Sequence, residues 1–261
     1  MKLKTKLLAE RFTALFAGWP GVECVSLNEA AMSDTLDPYF ALVLDVFFSG
    51  PVPEPDTRRT LYGEDTAAFE NSGYRLKDRF LIGDLPVRVE YKGVTQIEDL
   101  VSYADTKTAS LWIIKDAGTY GFYRLVHGEI LFSRTGWIDR IRDRIGNASG
   151  EFWTRLREVN QSKMEHFLND LGAALYQGDD FFSLISAAGF IKHACLTLFC
   201  INHRFEPSHR SYGDQVLALP ELPESFAAQL EIFLSDKEGG ASAERRYALA
   251  KLIARGVISL V

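Results

Sequence analysis

Two hydrophobic periods divide this chain. Leu7, Leu8, Phe12, Leu15 and Phe16 recur at helical spacing from Leu3 to Phe16, until Gly18-Trp19-Pro20 stops the pattern. Gly21 to Leu27 reads as a short strand, residues 28–37 as a loop, and Tyr39 to Phe48 as a long strand rich in β-formers. Pro51, Pro53 and Pro55 remove backbone donors, so the segment from Ser49 to Asp56 must leave the sheet. The pattern predicts a helix from Arg58 to Glu70, then strand from Leu81 to Lys92 with a turn at Gly83-Asp84. Thr119 to Phe132 reads as a hairpin turning at His127-Gly128. From Trp137 onward the period is helical throughout, in segments near 137–146, 151–176, 180–203, 221–235 and 241–259. The expectation is a mixed α/β domain over residues 1–148 and an all-helical bundle over 149–261.

Polar residues inside the strand patterns change the picture. Val87, Val89 and Tyr91 alternate with Arg88, Glu90 and Lys92, so the apolar three face a core and the charged three share the opposite face. Asp45 interrupts an otherwise apolar run from Phe40 to Phe48, and burying a lone carboxylate is costly. It requires a metal, a cationic partner or a solvent-facing position. Asp34 and Asp37 lie at the mouth of the same strand, and carboxylates that converge within ~4 Å of one point can hold a metal on a nucleotide's phosphates. Asp37 and Asp45 would stand ~26 Å apart on a straight strand, so both cannot serve one metal. The Asp34/Asp37 end is favoured, with Asp45 as its substitute; the plain alternative is a solvated acidic loop and a salt-bridged strand face.

Composition bounds the rest. At 261 residues with 47% hydrophobic and 25% charged residues, the chain can bury one large core or two modest ones. A net charge of −6 argues against broad nucleic-acid binding, which depends on neutralising phosphates. Cys24, Cys195 and Cys200 are too few and too odd in number for a disulfide framework, which points to a reducing cytoplasm. The basic start has no apolar segment behind it, and no apolar run approaches the ~20 residues that would span a bilayer. His193, Cys195, Cys200 and His203 lie close together, but on a helix His193 and Cys200 share a face while Cys195 points elsewhere, and their apolar neighbours mark a buried helix in which cysteine is a core residue. Arg204 and His209 match a short Arg…His signature of helical ribonuclease-type domains, yet Pro207 between them breaks the helix that would present them.

The order of helix, strand, loop, acidic strand start and acid on a later strand resembles the nucleotidyltransferase-fold superfamily, of the kanamycin and antibiotic nucleotidyltransferase type. That family has a Gly-Ser pair after its first strand, two acids in Asp-x-Asp spacing, then a third acid. Here Ser26 stands for the serine without its glycine, Asp34 and Asp37 are one residue wider than the family spacing, and Glu90 falls at the third acid. In the second half, Asn202, Phe205, Pro207 and Arg210 are similar in order to a helix end of the family's C-terminal domain, and Gly178-Asp179 resembles its Gly-acid break. This matches a subgroup whose helical domain has no assigned function.

The resemblance implies transfer of a nucleoside monophosphate from a Mg²⁺-bound NTP to a hydroxyl of a small-molecule acceptor. Asp34, Asp37 and Glu90 would hold Mg²⁺ and act in catalysis, Ser26 and Asn28 would contact phosphate, and Arg88 or Lys92 would offset charge on the leaving pyrophosphate. Asn202 and Arg210 would line the substrate pocket; the plain reading is that Asn202 caps a helix that Pro207 stops. The competing expectation is a catalytically degenerate protein on this fold that binds a nucleotide or another protein, which the missing glycine and the widened acid spacing favour. Dimerisation is left open.

Overall fold

The computed structural model describes residues 3–30, 42–72, 74, 76–108, 119–235 and 243–260. The chain forms two compact units, one of residues 1–106 and 122–147, the other of residues 107–121 and 148–261.

The first unit is built on a six-stranded sheet. Its strands are β1 (Val22–Ala30), β2 (Leu42–Phe48), β3 (Thr66–Ser72), β4 (Lys77–Ile82), β5 (Leu85–Gly93) and β6 (Glu129–Ser133), in the order β3-β4-β5-β2-β1-β6. Neighbours run antiparallel except β2 and β5, which pair in parallel. Helix α1 (Leu3–Ala17) buries Phe12 and Phe16 in one core with Leu44, Val46, Val89 and Tyr91. Each aromatic ring so buried contributes about 1.5–3 kcal/mol of transfer free energy. The period-two reading of residues 87–92 holds: Val87, Val89 and Tyr91 are core, while Arg88, Glu90 and Lys92 are only part-buried. The turn at Gly83-Asp84 is present, with Gly83 at φ 61°.

A polar network is sealed beneath α1. Arg58, on α2 (Pro55–Tyr62), donates from Nε and Nη2 to Asp78 at 2.7 and 2.8 Å, and from Nη1 to the Pro53 carbonyl at 2.6 Å. Asp78 also accepts from the Tyr62 hydroxyl and from Asn71 Nδ2 at 2.7 Å. The Tyr62 and Tyr91 hydroxyls bond to each other, and burial pushes both phenols up from their ordinary values.

Two expected elements of this unit are corrected. The helix predicted over 58–70 ends at Tyr62, because Gly63 turns the chain at φ 112°, and β3 follows to pair with β4. The hairpin predicted over 119–132 is instead helix α4 (Tyr120–His127) running into β6. Its aromatic residues suit a strand in isolation, but Phe122 and Leu125 lie three apart on one buried helical face. A further helix, α3 (Val94–Asp105), follows β5, and α5 (Trp137–Gly146) closes the unit. Trp137 donates to Glu98 at 3.0 Å and packs its ring on Phe47, with centroids 5.4 Å apart.

The second unit is helical. Helices α6 (Gly150–Gln177) and α7 (Asp180–Ile201) form a hairpin through Gly178, at φ 66°, and Asp179, whose carboxylate accepts the Phe182 N–H at 2.9 Å. Their approach is close: a Cβ at Gly189 would stand 2.5 Å from the Phe167 ring. Helices α8 (Tyr212–Leu217), α9 (Phe226–Leu234) and α10 (Ala243–Ile258) complete the unit, so the helix expected near 221–235 begins only after Leu222-Pro223. Helix α7 meets the length and apolarity of a membrane span, contrary to the sequence expectation, but 61% of its most apolar stretch is buried in the protein. The core it enters includes Phe190, Phe199, Phe226 and Ile253.

Candidate functional site

One line of register crosses the sheet and sets the site. Ser26 on β1 pairs with Asp45 on β2, Asp45 with Glu90 on β5, and Glu90 with Lys77 on β4. In a pleated sheet such a line places all four side chains on one face. That face is opposite the α1 core, and α4 lays Arg124 over it.

Asp45 is fully buried and satisfied by cations. Its Oδ2 accepts from Lys92 Nζ at 2.6 Å and Asn28 Nδ2 at 2.9 Å, and its Oδ1 from Arg124 Nη2. The other arm of Arg124 donates to Glu90 Oε2 at 2.8 Å, so one guanidinium staples two carboxylates on adjacent strands. Lys92 stands 3.9 Å from that same oxygen, while Glu90 Oε1 faces Arg88 Nε at 3.2 Å and Lys77 Nζ at 3.5 Å. Burial pushes the Glu90 carboxyl up, but Arg124, Lys92, Arg88 and Lys77 outweigh it and hold the group below its usual range. Burial likewise pulls the Lys92 ammonium down, partly countered by Asp45.

The wall beside Asp45 is fitted tightly. Asn28 Nδ2 lies 3.4 Å from Ser26 Oγ, and Asn28 Oδ1 is buried with no hydrogen-bond partner among the described residues. Gly128 is required there, since a Cβ would meet the Arg124 carbonyl at 2.8 Å and Asn28 Oδ1 at 2.9 Å. Arg142 on α5 braces this corner by donating to the carbonyls of Leu125, at 2.9 Å, and Gly128.

Of the residues expected from sequence, Ser26, Asn28, Arg88, Glu90 and Lys92 therefore converge. The carboxylate that joins Glu90 is Asp45, the one held as a substitute; Asp34 and Asp37 lie outside the described residues. Asn202 and Arg210 belong to the other unit. Asn202 caps α7, donating to the carbonyls of Leu198 and Glu221, both at 2.9 Å, and accepting the Glu221 N–H at 2.8 Å. Its hydrogen-bonding groups are thus spent on backbone. Arg210 is exposed, its N–H 3.4 Å from Ser208 Oγ. Arg124 and Lys77 were not among the expected residues; the available signal was an arginine set between Phe122 and Leu125 in a helical pattern.

A magnesium site was expected here, and the described donors do not suit one. Every oxygen of Asp45 and Glu90 is engaged by Lys or Arg. An Asp-x-Asp pair starting at Asp45 would put its second acid at position 47, which is Phe47, buried against Trp137. Among the described residues, no three His, Cys, Asp or Glu side chains form a metal-binding group. Cys195 and Cys200 are buried in α7, and burial pushes their thiols up to about 12.

No family model matches the chain, and no curated protein matches it. In structure it is similar to a nucleotidyltransferase-like protein from Exiguobacterium sibiricum 255-15, with a TM-score of 0.50 at 14% identity, over 98% of this chain and 73% of that one. At that identity the likeness speaks to architecture alone and does not reach the kanamycin-type subgroup. The mixed sheet and the helical unit thus share the fold of that nucleotidyltransferase-like protein.

Proposed function

We propose that this chain binds a phosphate-bearing ligand of the nucleoside triphosphate class at the Asp45–Glu90 cluster. Binding, and not transfer, is the function this geometry supports. The observation that carries it is a gathering of cations: Lys77, Arg88, Lys92 and Arg124 all stand about Asp45 and Glu90 on one face of the sheet. A protein whose net charge is −6 here concentrates four cations on one part-buried face. Such a face focuses the field on an anion. Lys77, the most exposed of the four, is the cation best placed to meet a phosphate arriving from solvent. The fold supports a nucleotide as the source of the phosphate. No step through magnesium is derived.

Calorimetry of ATP and GTP, with and without Mg²⁺, tests the reading on the wild type and on Glu90→Gln. The expected result is binding without the metal, weakened by added salt and tightened in Glu90→Gln, because that change removes a negative charge from the anion's site. Binding that requires Mg²⁺ and disappears in Glu90→Gln would overturn it in favour of a metal-dependent transferase. Absence of binding by the wild type would overturn it in favour of a protein partner.

A further inference from the structure

Helix α7 presents an uncovered apolar stripe. Phe181, Leu184 and Ile185 are 74, 63 and 49% exposed, and Ala188 and Lys192 continue the same face at helical spacing. Toward its other end this face opens into a pocket of about 330 Å³, lined by Ile191, Lys192, Cys195, Tyr212 and Leu230 among others. Knob and hole therefore sit on one helix face, ~18 Å apart at ~1.5 Å per residue.

We propose that two copies of this chain pair through α7 in antiparallel fashion, each Phe181 filling the other's pocket. A two-fold axis passing near Ile185 and Ala188 brings both knobs to both pockets at once, and the small side chain of Ala188 lets the helices approach there. The pocket is larger than a phenyl group and nearly all carbon, so it takes the ring without stranding a polar atom.

Charge fixes the same register. Asp180, one residue before the knob, and Lys192, at the lip of the pocket, are both exposed, and neither makes an ion pair or hydrogen bond among the described residues. Antiparallel pairing sets Asp180 opposite the partner's Lys192 at each end; a parallel arrangement would set like charges together. Area agrees as well. Together with Leu234 at the pocket, exposed by 62%, the stripe offers roughly 450 Å² of apolar surface per copy. A standard interface removes ~800 Å² per partner, which leaves the remainder to a polar rim.

Light scattering on the wild-type chain across the micromolar range tests the pairing, which does not depend on nucleotide binding. The expected mass is twice 29.3 kDa. Phe181→Glu should yield the single-copy mass with an unchanged circular dichroism spectrum, since Phe181 is exposed in the isolated chain. Asp180→Lys should weaken association about tenfold or more by opposing like charges, and Asp180→Lys with Lys192→Asp should restore it. A single-copy mass for the wild type throughout that range would overturn the proposal. So would a Phe181→Glu variant that dimerises as tightly as the wild type, or a double charge swap that fails to recover association.

Discussion

The sheet of the first unit holds two charged clusters, one under each face, and they differ in enclosure. Under α1, Arg58 meets Asp78 one to one, and Tyr62 and Asn71 fill the remaining positions on the carboxylate. Both charged side chains are sealed from water. Under α4, four cations share two carboxylates, and the cluster opens to solvent through Lys77 and Lys92. A neutral, closed pair has nothing left to offer a ligand and serves to specify packing. A group of cations that opens to solvent offers an anion a face on which to settle.

The contrast can be broken first at the closed cluster. Asp78→Ala leaves a buried guanidinium without its counter-ion and should cost about 3–5 kcal/mol in urea unfolding. Replacing both partners, Arg58→Met with Asp78→Leu, should recover most of that loss. Asp45→Asn at the open cluster should cost less, about 2 kcal/mol, because Lys92 and Arg124 keep Glu90 as a partner. The same change should raise nucleotide affinity in calorimetry, and an unchanged or weaker affinity would count against the anion reading.

Acid sharpens the comparison further. The folded-state value of Glu90 lies below its unfolded one, so its contribution to stability is complete above the ordinary carboxylate range. That contribution is lost as the pH falls through the depressed value. Melting temperatures followed down through that window should drop less steeply in Glu90→Gln than in the wild type. The smallest effect on folding belongs to Lys77→Ala. Its exposed pairing is worth under ~1 kcal/mol, yet nucleotide affinity should fall several-fold.

What the sequence disclosed followed from distance along the chain. The charged face of Arg88, Glu90 and Lys92 was legible because a period of two is local, and Asp45 declared its need for a cation by interrupting an apolar run. That Lys92 and Arg124 supply the cation depends on the parallel register of β2 with β5 and on α4, contacts between residues 47 and 79 positions apart. No local pattern encodes them. Arg124 was hidden further because aromatic residues around it read as strand, and only burial against the sheet makes that segment a helix.

The route of the chain has a consequence for how it must be made. The chain leaves the sheet unit after Thr106 and resumes it at Phe122, with residues 107, 108 and 119–121 in the helical unit. On the ribosome, the first hundred residues emerge as a sheet whose β1 edge is still bare, because β6 is encoded beyond the excursion. Until residue 133 has cleared the exit tunnel, that edge carries backbone donors and acceptors without their strand partner. Cutting the gene at position 148 is also a poor way to obtain the helical unit: it discards Thr119, whose hydroxyl accepts the buried N–H of Glu206 at 2.9 Å. An expression fragment that respects the fold has to carry both stretches.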